Sequence, residues 1–133
     1  MLDGRIKTIS MQIEGSILVD RKNPEHIEQA EKFGLINIGI VVCNLYPFEQ
    51  KNEIENIDVG GPTMLRSAAK NYQSVLAICD PADYEKIGSA LKSGSVDDSL
   101  RRDLAGKVFE HLSFYDSQIA SFFRKTKNEK RDY

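Results

Sequence analysis

Four short stretches of this chain carry residue types that could do chemistry. Arg5-Ile6-Lys7-Thr8 puts two cations and a hydroxyl within four residues, a composition suited to holding a phosphate or an oxyanion. The same composition also suits a solvated basic loop. Asn44-Leu45-Tyr46-Pro47-Phe48 follows an apolar run that reads as a strand. Ligands in open α/β sheets bind outside the carboxyl ends of strands, so Asn44 and Tyr46 fall where a site is expected. Tyr46 and Phe48 around Pro47 equally suit the packing of a loop. Ile57-Asp58-Val59-Gly60-Gly61-Pro62-Thr63 sets an acid and a glycine pair before a helix start. Such a pair allows close backbone approach and leaves N–H groups free at the positive end of the helix dipole. Asp58 can also be read as a plain helix N-terminal acid. Lys70 ends the small-residue face of Ala68 and Ala69. A lysine there usually serves the helix dipole, and a proton-transfer role would need its pKa lowered from about 10.4.

Other chemistries are poorly supported. His26 and His111 have no ligand spacing between them, so no metal site is expected. No Walker motif, G-x-G-x-x-G or G-x-S-x-G occurs. Cys43 and Cys79 both lie in apolar runs and read as buried thiols in a reducing compartment rather than a disulfide or metal pair. Eighteen Lys plus Arg against twenty Asp plus Glu give a net charge of -2, which argues against a broad nucleic-acid surface. No apolar run approaches the ~20 residues of a membrane span, and the first residues have no apolar core of a secretory signal. A cytoplasmic protein is expected. Its 133 residues are enough for one cored domain.

The elements that must position these residues alternate. Asn23-Pro24-Glu25 is a helix start, with Ile27, Ala30 and Phe33 expected inside and Gly34 as the stop. Residues 36–45 form a β-branched run expected to be a strand covered on both faces. Residues 49–55 read as a loop or short helix. A helix is expected after Gly60-Gly61-Pro62-Thr63, with Met64, Leu65, Ala68 and Ala69 inside. Residues 75–79 are a second buried strand, followed by the N-cap and proline of Asp80-Pro81 and a helix to about Leu91. Ser95-Val96-Asp97-Asp98 resembles a capping box that opens a long amphipathic helix. Its inner stripe is Leu100, Leu104, Val108, Leu112, Tyr115, Ile119 and Phe122. The basic tail from Arg124 is expected to fray. Only the first twenty residues fit neither period. The alternation predicts an α/β layer with a parallel sheet, yet two strands are fewer than a stable sheet wants.

The same four places carry a family resemblance. Met1-Leu2-Asp3-Gly4-Arg5-Ile6-Lys7-Thr8, Asn44-Leu45-Tyr46-Pro47-Phe48, the stretch from Ile57-Asp58-Val59-Gly60-Gly61-Pro62-Thr63 through Met64-Leu65-Arg66-Ser67-Ala68-Ala69-Lys70-Asn71, and Phe109-Glu110-His111 with Tyr115-Asp116 resemble the bifunctional purine biosynthesis protein. The likeness is to part of its N-terminal IMP cyclohydrolase domain and runs in order over nearly the whole chain. It implies an α/β domain like methylglyoxal synthase, in three layers with a parallel sheet and a long C-terminal helix. That domain would cover residues 1–123, with 124–133 as a basic tail.

The resemblance implies ring closure of 5-formamidoimidazole-4-carboxamide ribonucleotide to inosine monophosphate with loss of water. It implies no metal and no cofactor. The partners it implies are the purine ribonucleotide and a second copy in a homodimer, with no nucleic acid and no membrane. Asp58 with Lys70 would relay the proton, while Lys7, Tyr46 and the backbone near Val59 and Gly60 would stabilise the oxyanion. Arg5, Thr8, Cys43, Asn44, Leu45, Val59, Gly60 and Gly61 would hold the substrate.

The sequence departs from the family pattern where two histidines are usual, carrying Ser10-Met11 and Glu14-Gly15-Ser16 instead. The loop between Phe48 and Ile54 is short for the family. The resemblance also implies that the domain's first strands, its phosphate-gripping loops and the transformylase domain lie outside this chain. A non-catalytic purine-nucleotide binder or assembly module of the same fold is the alternative function.

Overall fold

The computed structural model describes residues 10–128. The elements run α1 (Met11–Leu18), α2 (Pro24–Lys32), β1 (Ile40–Val42), α3 (Gly60–Lys70), β2 (Leu76–Ile78), α4 (Tyr84–Ser93) and α5 (Asp98–Asn128). Short 3-10 turns at Phe48–Gln50, Ile54–Asn56 and Pro81–Asp83 link them. β1 and β2 pair in parallel, with Ile40 opposite Leu76, Val41 opposite Ala77 and Val42 opposite Ile78. The chain is α/β, with a short parallel sheet and a long C-terminal helix.

Two apolar clusters lie on the two faces of that sheet. Val41, Ala77 and Cys79 meet Leu65, Ala68 and Ala69 of α3 and Ala105, Val108 and Leu112 of α5. On the other face, Leu76 and Ile78 pack with Ile87 of α4 and Leu104 of α5. β2 is therefore buried on both sides, as its unbroken apolar run predicts.

Several expectations are corrected. β1 is only three residues long and covered on one face: Val41 is buried, whereas Ile40 and Val42 are 41% and 53% exposed. The outer side of the α4 cluster stops at β2 and leaves β1's outer face open. The α2 stripe is not an inner face either. None of its residues is buried, and Ile27 and the flanking Phe33 are exposed. Its ends do follow the sequence, with Asn23 accepting from the Glu25 N–H at 3.0 Å and Gly34 at φ 65°. α3 starts at Gly60, because a proline in the first turn costs no helical hydrogen bond. Asp97 rather than Ser95 caps α5, its carboxylate accepting from the Leu100 N–H at 2.8 Å. α5 continues past Arg124.

The unreadable N-terminal stretch contains α1. Ser10 caps it by accepting from the Ile13 N–H at 3.2 Å. Ile17 enters the main core, and Asn71 at the end of α3 donates to the carbonyls of Ile17 and Val19, both at 2.8 Å. Arg21 anchors the following turn by donating to the carbonyls of Ser74 and Ile38.

Candidate functional site

The carboxyl end of β1 runs directly against the start of α3, and Gly61 is the reason it can. A β-carbon at Gly61 would stand 2.8 Å from Asp58 Oδ2, 2.9 Å from Cys43 Sγ and 2.9 Å from Leu45 Cδ2. Real β-carbons do not approach so closely, so only glycine lets these three side chains converge on the helix start. Asp58 Oδ1 accepts from the Gly61 N–H at 2.9 Å. The carboxylate thus sits at the positive end of α3, where the dipole favours negative charge. The plain reading of Asp58 as a helix N-terminal acid holds, and its half-buried position beside Cys43 adds to it. Burial, and secondarily the Asp58 charge, push the Cys43 thiol above its ordinary range.

Tyr115, which the sequence presents as core packing, and Tyr84, which it does not single out, set the site's geometry. Tyr115 is buried, and its phenol oxygen accepts from the Asp58 N–H at 2.7 Å. It also donates to the Asn56 carbonyl at 3.4 Å, so it fixes the turn on which Asp58 stands. Burial is the main cause that raises the Tyr115 phenol, which therefore stays protonated and able to donate. Phe48, fully buried, meets the Tyr115 ring edge-on at a centroid distance of 6.4 Å. Tyr84 of α4 donates to Asn44 Oδ1 at 2.8 Å and so orients the Asn44 amide. Tyr46 is exposed and borders a cavity of ≈ 150 Å³ shared with His111, Phe114 and Tyr115. Periodicity places Tyr115 correctly in a core stripe but carries no sign of its hydroxyl's role.

The structure brings Cys43, Leu45, Asp58 and Gly61 together, with Gly60 buried in the same first turn and Val59 exposed beside it. It does not bring Lys70 to Asp58. Eleven residues of α3 separate its two ends by about 15 Å of helical rise, and Lys70 is exposed at the far one. Arg5, Lys7 and Thr8 lie outside the described residues. Among the described residues, no group of three His, Cys, Asp or Glu side chains could hold a metal ion, and no helix is long and apolar enough to cross a membrane.

A second polar cluster lies at the carboxyl end of β2. Lys107 of α5 pairs with Asp80 at 2.6 Å and Asp83 at 2.7 Å. The hydrogen bond from Lys107 holds the Asp80 carboxyl below its usual range, and the two acids push the ammonium above its own. With both acids matched to one cation, this cluster locks α4 to α5.

The chain is similar to known proteins. The AICARFT/IMPCHase bienzyme family matches residues 68–133. The bifunctional purine biosynthesis protein PurH of Macrococcus caseolyticus is 47% identical over 132 residues, covering 92% of this chain. That of Staphylococcus carnosus is 45% identical over 140 residues, covering 98%. This chain belongs to that family. It spans 27% and 28% of the length of these two relatives. The crystal structure of ForH is similar over 92% of this chain and 68% of its own, with a TM-score of 0.83 and 32% identity.

Proposed function

We propose that the chain carries an IMP cyclohydrolase site, closing the purine ring of 5-formamidoimidazole-4-carboxamide ribonucleotide. The observation that carries this reading is the convergence of Cys43, Leu45 and Asp58 on Gly61 at the helix start, supported by family membership. In the reaction the carboxamide nitrogen attacks the formyl carbon, a C–N bond forms, and the formyl oxygen takes up negative charge. Asp58 takes the amide proton. The α3 N-terminus, Tyr46 and Lys7 stabilise the oxygen by hydrogen bonds. The C–O bond then breaks as the former formamido nitrogen gives up its N–H proton and forms the ring C=N bond, so the protons lost from the two nitrogens leave with the oxygen as water. Val59, Gly60, Gly61, Cys43, Asn44 and Leu45 line the purine side, while Arg5 and Thr8 hold the ribonucleotide.

Lys70 is the remaining member of the proposed relay and stands a helix length from Asp58, so its part is tested separately. Lys70→Ala should lower turnover while leaving nucleotide binding and folding intact. The surrounding fold is proposed to be the three-layer, methylglyoxal synthase-like arrangement, and the setting the cytoplasm. The reading asks for no metal or cofactor.

The test is formation of inosine monophosphate by the folded chain, wild type against Asp58→Asn. Loss of turnover in the variant, with the melting temperature kept, supports the assignment. A second reading, a nucleotide binder without turnover, is favoured by the separation of Lys70 from Asp58. It predicts saturable binding of inosine monophosphate and a ring-closure rate no faster than background.

A further inference from the structure

The two cysteines occupy matching places at the carboxyl ends of the two strands. Val42 is opposite Ile78 in the parallel register, so the next residues along, Cys43 and Cys79, stand side by side. The ladder holds up to that point, because the Cys43 N–H donates to the Ile78 carbonyl at 3.0 Å. Just beyond it, Tyr84 donates to Asn44 Oδ1 at 2.8 Å and ties the chain leaving β2 to the chain leaving β1. Neighbouring strands lie about 4.8 Å apart, inside the roughly 4.4–6.8 Å over which a disulfide can join two α-carbons. Alternation puts Cys43 on the face of Val41 and Cys79 on that of Ala77. All four side chains meet in or against the core under α3 and α5. Both thiols are free. Burial is the main cause that holds each above its ordinary range, so the resting state is the dithiol.

We propose that Cys43 and Cys79 are a reversible redox pair, closed to an intramolecular disulfide by a low-molecular-weight disulfide such as oxidised glutathione. Cys43 is half-buried and Cys79 is 5% exposed, so exchange begins at Cys43. The Cys43 thiolate attacks one sulfur of the oxidant, giving a mixed disulfide and one glutathione thiolate. Cys79 then gives up its proton and attacks Cys43 Sγ, expelling the second glutathione thiolate. The Cys43 and Cys79 protons end on the two glutathiones, so two protein thiols are oxidised and one disulfide is reduced to two thiols. The Lys107 ammonium, which works against burial at Cys79, favours that second thiolate. Closure swings Cys43 Sγ toward β2, and the sulfur leaves the cradle in which it, Asp58 and Leu45 crowd Gly61. The redox state of the pair is thereby felt at the start of α3.

The test equilibrates the folded chain with glutathione redox buffers of graded ratio, quenches with acid, alkylates the remaining thiols and reads the species by non-reducing mass spectrometry. The expected product is a single chain lighter by two hydrogens, with one peptide pair linked through Cys43 and Cys79. The equilibrium constant for closure in the folded chain should exceed that in concentrated urea, where no register holds the thiols together, by about tenfold or more. An equilibrium reading does not depend on how slowly a buried thiol reacts. Cys43→Ala and Cys79→Ala should each abolish the product, and dithiothreitol should restore both thiols in the unmodified chain. In the amide spectrum, Gly61 should shift on closure and return on reduction, while Gly94, at the turn that ends α4, stays in place. A chain that keeps both thiols at every buffer ratio, a mixed disulfide that stops at Cys43, or links only between chains would overturn the proposal. So would a closure constant no greater folded than in urea, or a Gly61 amide unmoved by closure.

Discussion

The Tyr115 phenol oxygen accepts the backbone N–H of Asp58 across 57 residues of sequence, at 2.7 Å. One buried hydroxyl on the longest helix thereby sets the position of the carboxylate at the start of α3. Tyr115→Phe keeps the ring and its contact with Phe48 but leaves the Asp58 N–H without its acceptor. The expected cost is about 1–3 kcal/mol of stability, the usual price of an unsatisfied, half-buried donor. Chemical denaturation measures it, and an unchanged midpoint would show that the turn is held without this bond.

Gly61 is the tightest position in the site. Gly61→Ala forces its new methyl into Asp58, Cys43 and Leu45, all within 3 Å. Overpacking of this kind costs on the order of 1–3 kcal/mol. Affinity for inosine monophosphate should fall with it, as seen by calorimetric titration. Gly106→Ala, with nothing within 4 Å of the added carbon, serves as the matched control and should leave affinity unchanged.

Much of this frame is legible from residue order. The Asn23-Pro24 and Asp80-Pro81 starts, the stop at Gly34 with φ 65°, and the three-and-four spacing of Leu104, Val108, Leu112 and Tyr115 each encode a local rule that the structure follows. What sequence misses is set by other elements. α1 spans only eight residues, and its core contacts reduce mainly to Ile13 and Ile17, one turn apart, too few to declare a period. The β1 run is apolar enough for two covered faces, yet cover depends on what packs there, and α4 reaches only as far as β2. α2 shows the same gap between an apolar stripe and a partner to bury it. The Asp58–Tyr115 and Asn44–Tyr84 bonds join residues 57 and 40 apart, and no spacing rule links such pairs. Lys70 follows a family motif, and only the straight run of α3 reveals how far it stands from Asp58.

Cys43 reports on Asp58. The nearby carboxylate adds to burial in keeping the thiol protonated. Removing that charge with Asp58→Asn should move the pH midpoint of Cys43 alkylation downward and speed the reaction at a fixed neutral pH, since the thiolate is the reactive form. Mass spectrometry distinguishes Cys43 from the buried Cys79, whose rate should not change. Equal Cys43 rates in the two proteins would contradict the contact.

The Lys107 pairs predict a pH signature for stability. Asp80 is depressed in the folded state by its hydrogen bond from Lys107, so its contribution is present above the unfolded carboxyl value of about 3.9 and is lost as pH falls through the folded one. Lys107 is raised, so its contribution is present below about 10.4 and is lost only as pH climbs through its higher folded value. Lys107→Gln should therefore lower the melting temperature around neutral pH. The difference from wild type should shrink below about pH 4 as the carboxylates protonate. A constant difference across the acid range would show that the lysine acts by packing alone.

The central claim is that the chain's α3 start and β1 end form a ring-closing site. The most direct measurement is the initial rate of inosine monophosphate formation from the formamido ribonucleotide, using folded wild type, Asp58→Asn and a protein-free control. The account predicts a rate above the control for wild type and at the control for Asp58→Asn. A folded wild type no faster than the control, or an Asp58→Asn variant as fast as wild type, would contradict it.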